Sequence, residues 1–170
     1  MNWFGASIVL VATTWAGWEW SNRLKQRPQQ IRQLKTFLQA LEAEVTFGLT
    51  PIDEACDKLA AQCDPPLSTF ISDFSNRLKQ GGYQAERAWE EALNELWTRT
   101  SLKKSEKEIL TQFGQTLGVY GRTEQKKQIM LALTHLEREE AEARDELKRF
   151  EKLFRSLGLL TGLLLVLLLI

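Results

Sequence analysis

The run Leu157-Gly-Leu-Leu-Thr-Gly-Leu-Leu-Leu-Val-Leu-Leu-Leu-Ile170 constrains this chain more than any other stretch. A helix that is apolar on every face needs apolar surroundings on every side, and the rest of the sequence has few apolar side chains to spare. As a helix the run rises about 21 Å, against roughly 30 Å of bilayer hydrocarbon. Extended back to Phe154, with Arg155 reaching its guanidinium to the headgroups, it gains length to about 25 Å, which a locally thinned bilayer accepts. Residues 156–170 therefore read as a membrane-spanning helix, the alternative for so short a run being a buried core helix.

A second uncharged stretch lies at the other end, from Trp3 to Trp18, with Trp3 on one side and Trp15, Trp18 and Trp20 on the other. Indoles so placed form an interfacial belt. A cleaved signal peptide fits less well, because Met1-Asn2 carries no basic side chain and no small-x-small site follows. Arg23, Lys25, Arg27, Arg32 and Lys35 follow this stretch, and Lys148, Arg149, Lys152 and Arg155 precede the other. Basic flanks stay on the cytoplasmic side. Residues 1–20 and 156–170 are thus expected in the membrane and residues 21–155 in the cytoplasm, with both termini outward. The expected anchors are Trp3, Trp15, Trp18 and Trp20, then Arg155, Leu157, Leu165 and Ile170. The first basic block has no acidic residue within it, so an anionic membrane surface is its expected partner.

Between the anchors the apolar period is helical throughout, which predicts an all-α bundle of about six helices. The first helix sets Pro28 in its opening turn, carries Ile31, Leu34, Leu38, Leu41 and Val45, and stops at Gly48. Thr50 caps a second, with Pro51 in first position and Ile52, Cys56, Leu59 and Cys63 buried. Asp64-Pro65-Pro66 precedes a third, carrying Leu67, Phe70, Ile71, Phe74 and Leu78 and ending at Gly81-Gly82. A fourth carries Ala85, Ala88, Trp89, Ala92, Leu93 and Leu96. In the fifth, Ile109, Leu110, Phe113 and Leu117 form the stripe, Gly114 permits close helix contact, and Gly118 and Gly121 end it. The sixth runs from about Thr123 to at least Arg155. Its seam of Ile129, Leu133, Leu136, Ala143, Leu147, Phe150 and Phe154 is expected to pack antiparallel on the helix of residues 20–45. Glu140 falls on that seam, yet Glu137 to Glu146 reads as a solvated shaft laced with salt bridges. The pairs Glu90-Glu91 and Glu139-Glu140 read as solvated faces.

Chemistry is scarce. With 22 basic and 22 acidic side chains the chain is formally neutral, which argues against nucleic acid as a partner. A single histidine, His135, leaves no metal-ligand constellation. Cys56 and Cys63, seven apart on one helical face, read as small core residues in a reducing compartment. Gly114-Gln-Thr-Leu-Gly118 lacks the Lys-Ser/Thr of a phosphate loop. We expect no enzyme and no cofactor; the rival is a membrane-bound hydrolase using Glu44, Glu54 or His135.

Three groups of residues carry a family resemblance before Ile109: Arg27-Pro28 with Gln30-Ile-Arg-Gln-Leu34, Leu41-Glu42 with Glu44-Val45 and Phe47-Gly48-Leu-Thr-Pro51, and Ala88-Trp89-Glu90-Glu91-Ala92-Leu93. Beyond Ile109 it is denser, in Phe113-Gly-Gln-Thr-Leu-Gly118, Gln128-Ile129 with Leu131-Ala132-Leu133, and Phe150-Glu-Lys-Leu-Phe-Arg-Ser-Leu-Gly158 with the leucine tail. The chain resembles the stage III sporulation protein AB family of endospore-forming bacteria over nearly its whole length, with Asp57 to Tyr83 the least distinctive part. That family is similar in fold to the cytoplasmic domains of the platform protein of type II secretion and type IV pilus machines. The resemblance implies a membrane component of the channel complex between mother cell and forespore, placed in the mother-cell membrane around the forespore. It also implies a partner, the stage III sporulation protein AA-type ATPase, and allows a homo-oligomer. Two surfaces are candidates for the ATPase: Phe47, Gly48 and Pro51 with Glu44 and Glu54, and the segment of Phe113, Gly114, Gln115 and Gly118. Capping and packing are the alternative roles for both. The competing readings are a two-ended membrane tether or scaffold with no motor partner, and a platform protein of a type II secretion or type IV pilus-like system.

Overall fold

The computed structural model describes the backbone of residues 3–47, 51–80 and 84–169, and the side chains of residues 24–47, 51–80, 84–121 and 123–153. The described residues form six helices: α1 (Trp3–Phe47), α2 (Ile52–Ala60), α3 (Leu67–Lys79), α4 (Ala85–Trp97), α5 (Lys104–Gly114) and α6 (Arg122–Leu169). No strand occurs among the described residues. The all-α architecture and the long last helix are those expected from the periodicity. Gly48, Thr50, Gly81 and Gly82 lie outside the described residues, as do the side chains of the expected anchors Trp3, Trp15, Trp18, Trp20, Arg155, Leu157 and Leu165, and all of Ile170. Among the described residues no helix is long and apolar enough to cross a membrane.

Two long helices frame the molecule. α1 has 45 residues and α6 has 48, so each would extend about 70 Å at the standard rise. They pack against each other as an antiparallel pair: Arg27 meets Glu146, Lys35 meets Glu137, and Glu42 meets Lys126. The signs explain the direction. α1 is basic through residues 27–35 and acidic at Glu42 and Glu44, whereas α6 is basic at Lys126 and Lys127 and acidic from Glu137 to Glu146. Only the antiparallel arrangement sets opposite charges together at both ends.

Pro28 does not open a helix. It lies inside α1, which continues through it from Trp3. An interior proline removes one ladder hydrogen bond and costs about 3 kcal/mol, so sequence alone favours a start there. Tertiary packing overrides that preference, because Ile31, Leu34, Phe37, Leu38 and Leu41 are all buried just beyond it. The second helix also departs from expectation. Pro51 precedes its first residue, Ile52 is exposed, and Ala55, Cys56 and Ala60 are the side chains it buries. Cys63 sits past its end and is half-buried, so the two cysteines do not share a helical face.

The core is built around Trp89 of α4. Phe70, Phe74 and Phe113 meet its indole edge-to-face at centroid distances of 4.9, 5.2 and 5.2 Å, and Phe37 stacks at 6.3 Å. Its Nε1 donates to the carbonyl of Leu110 at 2.8 Å, satisfying the polar atom of an otherwise apolar ring. One side chain thereby ties α1, α3, α4 and α5 together. α5 ends at Gly114, where a Cβ would stand 2.8 Å from Trp89 Nε1 and 3.0 Å from Cγ. The chain then turns, and Gly118 has φ +78°, a left-handed conformation suited to glycine.

Candidate functional site

The α1–α6 seam carries a buried charge centre at one end and an open tip at the other. At the first, Arg27 is 2% exposed and Glu106 0%. The Arg27 Nε and Nη2 both donate to Glu106 Oε1, at 2.8 and 2.7 Å. Nη1 donates to Glu146 at 2.8 Å and Nη2 to Glu139 at 3.3 Å. Lys103 Nζ caps Glu146 at 2.6 Å, Ser105 Oγ donates to Glu139 at 2.9 Å, and Arg138 pairs with Glu139 at 3.5 Å. Three cations thus face three carboxylates where α1, α5 and α6 converge. The Lys103 amide also donates to Glu106 Oε2 at 2.7 Å. This is half a capping box; the reciprocal half is missing because a lysine side chain has no acceptor.

A turn further along the seam, Glu140 accepts from Arg32 at 3.2 Å and Lys35 at 3.1 Å, and also from Arg144. Burial works against its charge, but the hydrogen bonds from Lys35 and Arg32, the Coulomb pull of Lys35 and the bond from Arg144 hold its carboxyl below the usual range. Glu146 is also held low, chiefly by the hydrogen bond from Lys103.

These contacts correct two expectations. The stretch from Glu137 to Glu146 is no solvated shaft, since Glu139 and Glu140 are buried against α1. Nor are Arg27, Arg32 and Lys35 unopposed, because each is paired with a glutamate of α6. Separation in sequence hid the match: the basic block of α1 looks unopposed until α6 is laid beside it.

The tip, at the opposite end of the seam, gathers the end of α1, the start of α2 and the turn before α6. The antiparallel pairing sets the two expected surfaces, which lie far apart in the sequence, toward the same end of the seam. Phe47 is 86% exposed, Val119 63% and Tyr120 49%. Pro51, Glu54, Gln115 and Gly118 are also exposed, and Glu44 is half-buried. Gly48 is outside the described residues. Phe113 and Gly114 are different: both are buried against Trp89. Val119 and Tyr120 escaped notice in the sequence, where two apolar residues between glycines suggest no pattern.

His135 is half-buried on α6 and borders a cleft of about 60 Å³ with Ile109, Gln112, Phe113, Gln128, Leu131 and Ala132. A hydrolase built on it would need a carboxylate or nucleophile in reach, and none lines this cleft. Burial, with Asp57 and Asp53 adding to it, pushes the Cys56 thiol up to about 12, which leaves almost no thiolate at neutral pH. The described residues contain no group of histidine, cysteine and carboxylate side chains able to hold a metal.

Comparison with known proteins bears on this geometry. Residues 2–170 match the family described as stage III sporulation protein AB. The chain is 50% identical over 165 residues to stage III sporulation protein AB of Bacillus subtilis (strain 168), covering 97% of this chain and 96% of that one. A solved structure of a stage III sporulation protein AB superposes with a TM-score of 0.70 at 50% identity, over 72% of this chain and 97% of the solved one.

Proposed function

The chain belongs to the stage III sporulation protein AB family, a family of sporulation proteins, and on that premise we propose that it is a membrane-held platform of the channel between mother cell and forespore. In this reading its helical body faces the mother-cell cytoplasm and engages the secretion-type ATPase of the complex, the stage III sporulation protein AA type. It hydrolyses nothing itself, and it uses its uncharged terminal runs as membrane anchors.

The antiparallel seam is the observation that carries the proposal. Because α1 and α6 run in opposite directions and are nearly equal in length, the helix leading back toward Trp3 and the helix leading on toward Leu169 depart from the same end of the body. Both uncharged runs would therefore enter one bilayer from one side. The tip with Phe47, Val119 and Tyr120 is then the part of the body furthest from the lipid, and an ATPase in the cytoplasm would meet it first. The Arg27 centre stands at the lipid-proximal end, where it holds the two helices in register. A platform transmitting force needs such rigidity at its base.

The experiment is co-purification. The full-length chain, extracted in detergent from membranes that also contain the ATPase, should retain the ATPase through affinity purification. Loss of the ATPase under conditions where it remains folded and active would leave the tether reading instead.

A further inference from the structure

At the Arg27 end of the body, a cleft of about 370 Å³ is lined by Gln26, Gln30 and Gln33 of α1 together with Asp64, Pro66 and Arg99. The three glutamines fall at i, i+4 and i+7, on one face of the helix. Ser101 fixes two of their amides: its backbone N–H donates to Gln30 Oε1 at 2.9 Å and its Oγ to Gln26 Oε1 at 3.1 Å. The Nε2 end of each is then left over, and an amide NH2 only donates. Gln30 is 9% exposed, and its Nε2 has no partner among the described residues, yet it is not among the sealed atoms. Arg99 is exposed, and its guanidinium makes no ion pair among the described residues. Further along α1, Gln33 Nε2 donates to Asp64 at 3.2 Å, which leaves Gln33 Oε1 and the second carboxylate oxygen as acceptors. The cleft therefore offers unpaired donors at Gln26, Gln30 and Arg99 and spare acceptors at Gln33 and Asp64.

The geometry points to a binding site for a phosphate ester that carries free hydroxyls, a glycerophosphate group being the simplest of the class. Arg99 and the amides of Gln26 and Gln30 hold the phosphate oxygens, and Gln33 and Asp64 accept from the hydroxyls. Asp64 sets the selection. A bare inorganic anion meets its repulsion and brings it no donor, whereas a hydroxyl supplies one. The volume lies in the range of small-molecule sites, about 300–1,000 Å³, and exceeds what a phosphate alone would fill. Two sources carry this group, a phospholipid headgroup and a soluble phosphate ester. The lipid source rests on the reading that both uncharged runs enter one bilayer. Gln26 then stands about 9 Å along α1 from Trp20, at the end of the body nearest the headgroups.

The test has two arms, both using the full-length chain and following thermal unfolding. In the first, the chain in a phosphate-free detergent is titrated with glycerol 3-phosphate, with glycerol and sulfate as controls. In the second, it is placed in nanodiscs of phosphatidylcholine with or without phosphatidylglycerol. Glycerol 3-phosphate and phosphatidylglycerol should raise the melting temperature, because a ligand that binds only the folded state stabilises it; the controls should not. A response in one arm alone identifies the source and sustains the site. Arg99→Gln removes the cation, and Gln26→Glu keeps an acceptor for Ser101 while replacing the donor with a negative charge. Both side chains are exposed, so neither variant should lower the melting temperature of the unliganded chain. Each should weaken binding about ten-fold or more, the usual loss for a hydrogen bond to a charged group.

An undiminished response in both variants would overturn the site, as would an equal response to sulfate or no response in either arm. Silence in both arms, with the ATPase retained by the wild-type chain and shed by both variants, would make the occupant an acidic protein segment and would also overturn it. The soluble arm needs neither bilayer nor ATPase. Its failure is therefore separate from failure of the platform reading, which co-purification decides.

Discussion

Arg27 on α1 and Glu106 on α5 are 79 positions apart in the chain, yet their side chains meet at 2.7 Å with both sealed from solvent. The pair turns a residue that looks like part of a membrane-binding basic block into the internal tie of three helices. Removing one member of a buried pair leaves the other charge uncompensated, which costs about 3–5 kcal/mol. Arg27→Met should lower unfolding stability by that order in a denaturant titration of the full chain. Combining it with Glu106→Gln should recover part of the loss. An unchanged midpoint for Arg27→Met would show that the centre is not a structural tie.

Gly114 and Trp89 make a second close approach. Any side chain at 114 must displace the indole, because its Cβ would crowd Trp89 Nε1 at 2.8 Å. Overpacking of this kind costs about 1–3 kcal/mol. Gly114→Ala should lower stability by that amount and break the indole hydrogen bond to Leu110, visible as a shift of the Trp89 indole proton in a spectrum assigned with Trp89→Phe. A stable variant with that resonance unmoved would refute the crowding.

The seam carboxylates predict an acid limit. Glu140 and Glu146 ionise below their ordinary 4.5 in the folded protein, so the folded state binds fewer protons than the unfolded one as pH falls through that value. Their contribution is complete above about pH 5, and is lost as pH drops through the folded values. Unfolding midpoints should therefore decline steeply below pH 4.5. Glu140→Gln should be less stable at neutral pH and show a shallower decline, as a urea titration at each pH would reveal.

Orientation can be tested with engineered thiols. Glu140 is buried but Ala141 beside it is exposed, so Ala141→Cys in a Cys63→Ser background is the informative position. It should react with a membrane-impermeant maleimide only after lysis, whereas Asn2→Cys should react in intact cells. Labelling of Ala141→Cys without lysis would reverse the topology.

Much of the bundle is legible in the sequence, since the spacing of Phe70, Ile71 and Phe74, or of Ala88, Trp89, Ala92 and Leu93, is a local property of each helix and survives without knowledge of its neighbours. Gly114 and Gly118 were legible for the same reason: close packing and a left-handed turn are short-range demands. The tip was legible only as two separate segments. That they share one end of the molecule depends on how α1 and α6 pair, and Phe113 looked as available as Gln115 because both stand in one motif while facing opposite ways.

What the sequence determined by itself is the helical content, the apolar stripes and the two uncharged terminal runs, all of which are read over a few turns of chain. Tertiary structure alone decided that α1 passes straight through Pro28, and that Arg27 is buried against Glu106, Glu139 and Glu146. The reason is range. A charge becomes a core residue only when helices distant in sequence bring its counter-ions to it, and no local period encodes that meeting.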